Sequence, residues 1–343
     1  MTSDAPSYSA PVEAGLSEER WSSACQLLAS FCEDGTISSA ALVAGRGSAI
    51  IQPQLFGKQS LNGEEPLRDD AMFLVASITK PIVASAALLL VERGLLTLSG
   101  KVTDYIPEFG KNGKNTVRIR HLLTHTSGLP DMLPDNVDLR IKHAPLSAFV
   151  EGTCDVALDF PAGFGVRYQS MGFAILGEII QRASGVPCAD FVRREIFEPL
   201  GMVDSWLGLP DDAFDGDSPA VDRVSEVLVC DEMVGADWNW NGRYWRQLGA
   251  PWGGLITTTT DLARFCQMML GQPASGVQVL SPATIRVATR NQLEMMADVP
   301  EVDRRTRPWG LGWRLNWPAH SANFGDFMGS RTYGHWGATG TVL

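Results

Sequence analysis

The chain has 343 residues, 45% of them hydrophobic and 20% charged, a composition that suits a globular protein large enough for two compact lobes or one large core. Its formal net charge of -11 repels nucleic acid phosphates and anionic lipid, so neither is an expected partner. The longest apolar run, residues 81–91, is too short to cross a bilayer, and residues 1–15 carry no basic and then apolar leader, so a cytoplasmic protein without membrane contact is expected.

The six cysteines show no metal-ligand spacing and read as free thiols of a reducing compartment; no metal or organic cofactor is implied. Residues 1–15 are polar and rich in Pro, Ser and Ala, as in a loosely held arm. A helix is predicted over residues 17–31, with Ser17 as its cap, Glu18 and Glu19 in the first turn, and Trp21, Cys25, Leu28 and Phe31 at helical spacing. Residues 40–44 and 50–56, parted by Gly45, Arg46 and Gly47, predict the two strands of a hairpin.

The apolar run 72–76 then leads into Ser77, Ile78, Thr79 and Lys80, the one place where a lysine follows a serine by three residues. Residues so spaced share a helix face, so the two side chains can touch. A serine hydroxyl becomes a competent nucleophile when a base takes its proton, and a lysine is that base once desolvation lowers its pKa. The flanking Val75, Ala76, Ile78 and residues 81–84 supply the desolvation. Pro81 is tolerated in a first turn, Gly94 stops the helix, and Ser77 falls at the positive end of its dipole.

Further on, His121 and His125 stand four apart, as in half of a metalloprotease site, but the required glutamate is Leu122, which rules out that reading. Ser127, before Gly128, reads as a turn hydroxyl. Helices are predicted over 171–182, stopped by Gly185, and over 188–197. Trp238, Trp240, Trp245 and Trp252 crowd a polar stretch, either closing a core or walling an apolar pocket. Thr260 and Asp261 are placed as the cap of a helix reaching Leu270, and residues 311–315 and 334–342 read as strands.

Taken in order, these motifs resemble the serine β-lactamase and penicillin-binding-protein superfamily, in its class C β-lactamase-like branch with the carboxylesterases of that fold. The resemblance runs from about Leu16 to the last residue. Residues 72–81 around Ser77 and Lys80 resemble the first motif, for which Ser-x-x-Lys is the wider signature. Residues 119–129 resemble a structural landmark loop, and Trp252 to Thr258 and Trp309 to Trp313 also fit. Tyr168, Gln169 and Ser170 stand for Tyr-x-Asn, and His335, Trp336 and Gly337 for the Lys-Thr-Gly of β-lactamases or the His-x-Gly of many esterase-like members.

The resemblance implies an α/β (α+β) protein of the β-lactamase/transpeptidase-like fold, an antiparallel sheet flanked by helices with an inserted all-helical lobe. The expected division is one domain over 16–343, with an α/β lobe from 16–76 and about 271–343, a helical lobe over about 77–270, and 1–15 as a flexible arm. It assigns Ser77 as acyl-accepting nucleophile, Lys80 as its activating partner and Tyr168 as the proton-transfer group of the leaving side. The amides of Ser77 and Ala338 become the oxyanion hole, and Ser170, His335, Trp336, Gly337 and Trp252 the substrate-binding residues, with His335 as a hydrogen-bond donor.

Ser170 replaces an asparagine and His335 a lysine, which moves the expectation from β-lactams toward small neutral esters. The expected function is a serine hydrolase cleaving carboxylic esters, its partner a small-molecule ester or amide substrate. A β-lactamase or D-amino-acid peptidase is the alternative. Leu343 follows Gly337 by six residues whereas relatives continue, which keeps open a fragment, a natural truncation, and a non-catalytic relative that binds a peptide or partner chain.

Overall fold

The computed structural model describes residues 8–217, 219–316, 324–325 and 327–343, so residues 1–7 of the expected arm lie outside the described residues. The remainder of that arm is tied down rather than loose. Ser9 donates its amide to Ile50 at 2.8 Å, and the Tyr8 and Thr260 hydroxyls are 3.2 Å apart.

The helix predicted from Ser17 is Glu18–Glu33, and the Ser17 hydroxyl accepts from the Arg20 amide as a cap should. The predicted hairpin pairs Ser39–Leu42 with Gln54–Gly57, antiparallel, in the register Ala40 to Phe56. Helix Thr79–Glu92 is buried from Thr79 through Leu90 and packs on Met171–Ser184, whose Gly185 takes the left-handed conformation at φ 76°. Each Leu or Ile fully buried along this pair contributes about 1.5–3 kcal/mol relative to exposure.

A three-stranded antiparallel sheet places Leu255–Thr257 between Phe73–Leu74 and Trp206–Leu207. Leu74 stands opposite Ile256. That register aligns the segment entering Ser77 with the segment leaving Trp252, two stretches far apart in sequence. Short strands Arg314–Leu315 and Tyr333–Gly334 form one further antiparallel pair, and Trp336–Gly337 and Thr341–Val342 another.

Three predicted elements shift. The helix over 188–197 becomes α-helical Cys188–Val192 followed by a π-helical turn Arg193–Phe197, because Pro199 lacks an amide and crowds the carbonyl four residues back. The helix expected from Thr260 starts at Thr259, and its cap is Thr258, whose hydroxyl accepts from the Asp261 amide at 3.2 Å. The single strand expected over 334–342 folds back on itself through a turn in which Gly340 donates to the Gly337 carbonyl. The protein is therefore a mixed α/β fold of small antiparallel sheets and packed helices.

Candidate active site

Ser77 lies in a short 3-10 turn, Ala76–Ile78, and Lys80 in the first turn of the helix Thr79–Glu92 that follows. The turn is entered through Ala76 at φ 43°, a left-handed conformation that costs a non-glycine residue on the order of 1 kcal/mol. Three bonds fix it. Val75 donates to the Leu255 carbonyl at 3.0 Å, the Thr79 hydroxyl donates to Ala76 at 2.6 Å, and the same hydroxyl accepts from the Leu255 amide at 3.0 Å. Thr79, inside the first motif, thus ties the Ser77 turn to the central strand.

Lys80 is fully buried, with Nζ 2.9 Å from Ser77 Oγ and donating to the Trp252 carbonyl at 2.8 Å. Burial lowers its pKa from the usual lysine value to about 7, against a smaller opposing effect from Asp131. Nζ also lies 4.8 Å from the centre of the Tyr168 ring and 5.7 Å from that of Phe173. Much of the site is then a neutral amine beside a serine hydroxyl at neutral pH.

Burial raises the Tyr168 pKa above the ordinary phenol value, against a smaller lowering effect from the nearby Ser77 side chain. Tyr168 keeps its proton while Lys80 loses one. Ser170 is buried and begins the helix Met171–Ser184, its amide donating to the Asp131 carbonyl at 3.2 Å. The indole of Trp252 is buried against Phe149, ring centres 5.3 Å apart, so the part of Trp252 that reaches Lys80 is its carbonyl. Trp245 is buried too, under the Arg140 guanidinium at 4.1 Å, whereas Trp238 and Trp240 are half-buried.

The strand Trp336–Gly337 closes the other side. A Cβ on Gly337 would lie 2.3 Å from the Val75 carbonyl oxygen, so only glycine allows this approach to the segment leading into Ser77. The Thr339 and Thr341 hydroxyls donate to the Leu74 and Val75 carbonyls at 2.7 and 3.0 Å, and lock it there. Ala338, next in the chain, is exposed, and no backbone acceptor for its amide is present among the described residues.

His335 is buried, its ring centre 6.0 Å from that of Tyr168, and burial with the nearby Lys80 charge lowers its pKa to about 3. Its Nδ1 is 2.8 Å from the Trp336 carbonyl, so Nδ1 carries the proton and Nε2 presents a lone pair. The proton is thus held by its own neighbour's carbonyl. Trp336 packs under the Arg314 guanidinium at 3.5 Å, and burial lowers the Arg314 pKa to about 10, so it stays cationic at neutral pH.

Sequence reasoning missed three contributors. His125 is buried against Tyr168, and Gln169 is buried beside it; the former read as half of an absent metal motif, the latter as a spacer. Ser127 is the turn hydroxyl expected, donating to Gln169 Oε1 and accepting from the Leu129 amide at 3.0 Å. Arg314 carried no signal at all, since only the pairing of Arg314–Leu315 with Tyr333–Gly334 brings it beside the third motif. Among the described residues no group of His, Cys, Asp or Glu could hold a metal ion. Two cavities of about 630 and 720 Å³ open elsewhere, one beside His121 and Met295, the other beside Cys32 and Phe56, and Ser77 lines neither.

A buried lysine beside a strained serine turn, a phenol nearby and a glycine-bearing strand opposite are an arrangement like that of the serine β-lactamase and penicillin-binding-protein class. The sequence profile described as Beta-lactamase matches residues 25–343, and the chain belongs to that family. It is 36% identical over 185 residues to esterase EstB of Burkholderia gladioli, covering 49% of this chain and 46% of that one. It is 31% identical over 276 residues to penicillin-binding protein 4 of Amycolatopsis lactamdurans, covering 79% and 67%. The match to the esterase thus spans about half of its length. A crystal structure of a penicillin-binding-protein homolog from Caulobacter crescentus superposes with a TM-score of 0.74 at 25% identity, covering 93% of this chain and 86% of that one.

Proposed function

We propose that the protein is a serine hydrolase that cleaves small carboxylic esters through a covalent acyl-Ser77 intermediate. The observation that carries the reading is the 2.9 Å contact between Ser77 Oγ and a fully buried Lys80 whose pKa lies at about 7. Lys80 takes the Ser77 proton as Oγ bonds to the ester carbonyl carbon, and the displaced electron pair rests on the carbonyl oxygen. The Ser77 and Ala338 amides are the donors for that oxyanion. As the carbon–oxygen bond to the leaving alcohol breaks, Tyr168 supplies a proton to the alkoxide and recovers one from Lys80. Water then attacks the acyl group, releases the carboxylic acid and restores the Ser77 hydroxyl.

A buried neutral His335 offers no cation for a substrate carboxylate, which favours a neutral ester. A reducing, cytoplasmic setting suits the six free cysteines, and no helix among the described residues is long and apolar enough to cross a membrane. A second reading, a penicillin-recognising hydrolase or peptidase, is favoured by the likeness to penicillin-binding protein 4 over 79% of the chain.

Intact-protein mass separates these readings. A short p-nitrophenyl ester and a fluorophosphonate should each add one adduct to the wild type and none to Ser77→Ala. A persistent adduct with a β-lactam and none with the ester would favour the second reading. No adduct with any probe on cooperatively folded protein would overturn both and leave a non-catalytic binding protein.

A further inference from the structure

In the proposed reaction Tyr168 must keep its hydroxyl close to Ser77, and its ring sits among those of His125, Trp309 and His335. Both chain neighbours of Tyr168 are fastened to one residue. The Arg167 amide donates to the His125 carbonyl at 2.9 Å, and the Gln169 amide donates to His125 Nδ1 at 3.1 Å. The His125 ring itself lies against the Tyr168 ring, centres 4.6 Å apart, and against Trp309 at 4.2 Å. The Gln169 side chain completes the clamp by accepting from Ser127 and donating to the Leu122 carbonyl at 3.2 Å, on the same loop as His125.

We infer that His125 is a positioning residue for Tyr168, gripping the backbone on both sides of the tyrosine and backing its ring so that the hydroxyl stays close to Ser77.

Three features of His125 fit that task. It is fully buried and sits at φ 57°, in the left-handed region where histidine and asparagine are tolerated and β-branched residues are not. The bond from the Gln169 amide requires an unprotonated Nδ1, hence a neutral ring with its proton on Nε2. Burial above all, and the nearby Arg314 cation, keep it neutral. Nε2 is buried with no partner among the described residues, so the ring is held by Nδ1, by its carbonyl and by packing. The metal motif that first drew attention to His121 and His125 was the wrong chemistry for a real constraint.

The inference rests on the acyl-serine reading, and the test uses the whole chain with two substrates. An activated aryl ester loses its leaving group with little need of a proton; an alkyl ester requires one from Tyr168. His125→Phe keeps the ring and removes the acceptor. It should lower kcat for the alkyl ester about 30-fold, leave KM within about threefold, and change the aryl ester by no more than about threefold. His125→Asn, which tolerates the left-handed backbone and returns an acceptor, should recover most of the loss. Equal losses on both esters, or no loss on either, would overturn the inference while leaving a Ser77 adduct intact. Absence of that adduct in the wild type would remove the hydrolase reading and this inference with it. Should His125→Phe not fold, ¹⁵N NMR of the wild type still decides: an Nε2–H tautomer down to pH 5 supports the clamp, and an Nδ1–H tautomer or an imidazolium refutes it.

Discussion

Two lysines among the described residues are fully buried, and they differ in what faces them. Lys80 reaches Ser77 and the Trp252 carbonyl; Lys114, in the turn Lys114–Thr116, donates to the Val156 carbonyl and lies 5.5 Å from the Phe109 ring centre. Desolvation lowers both pKa values, to about 7 for Lys80, while at Lys114 the nearby Asp155 and Cys154 push the other way. Burial by itself therefore does not supply what the proposed reaction asks of Lys80. Lys114 ties a turn to the end of the helix Leu146–Asp155, whereas Lys80 stands beside the Ser77 hydroxyl and the Tyr168 ring, the groups the proposed reaction needs.

The sharpest way to break that contrast is to exchange the two losses. Lys80→Ala should lower kcat/KM for an ester by about 10³-fold, whereas Lys114→Met should stay within about threefold in the same stopped assay. Comparable losses at both positions would mean that Lys80 matters for packing alone. Tyr168→Phe comes next, with an expected loss of about 10²-fold on an alkyl ester and unchanged far-UV circular dichroism. Full activity in that variant would take the phenol out of the reaction.

A pH profile sharpens the same comparison without touching the chain. With Lys80 active as the free amine, kcat/KM should rise about tenfold per pH unit below about 7 and level off above it. His335, with its pKa at about 3, and His125, held neutral, add no limb between pH 5 and 9. The midpoint should be unmoved in Lys114→Met. A rise centred near an ordinary lysine value would show that the site is wetter than its geometry implies.

How much of this was legible in the sequence follows from the range of the interactions. Ser77 and Lys80 are three residues apart on adjoining turns, so local spacing brings them together, and the helix Met171–Ser184 announces itself through period and a glycine stop. Ser77 with Tyr168 and Gly337 came from an ordered set of motifs, since nothing local joins them. The bonds that hold the site were invisible for a physical reason. The Lys80 amine meets a main-chain carbonyl of Trp252, and His125 meets the amides flanking Tyr168. Backbone groups are the same in every residue and leave no mark on side-chain patterns. The tautomer of His335 likewise depends on which carbonyl its ring happens to face.

The smallest effect is a stability change, and it tests whether Lys80 is held against its own preference. Its folded pKa of about 7 lies below the unfolded lysine value of about 10.4, so between these two values the unfolded chain binds more protons. Stability should accordingly rise with pH from about 7 to about 10, and below about 7 the full cost of the buried ammonium applies. Lys80→Met removes that cost together with the bonds to Ser77 and Trp252, each worth about 1 kcal/mol. The balance at pH 6 should favour the mutant by about 2–3 kcal/mol, a rise of several °C in Tm, and the advantage should vanish or reverse by pH 10. Denaturant titrations of the two proteins at pH 6, 8 and 10 measure the difference directly. If it stays constant across that range, Lys80 titrates alike in the folded and unfolded chains, and the case for a desolvated base beside Ser77 fails.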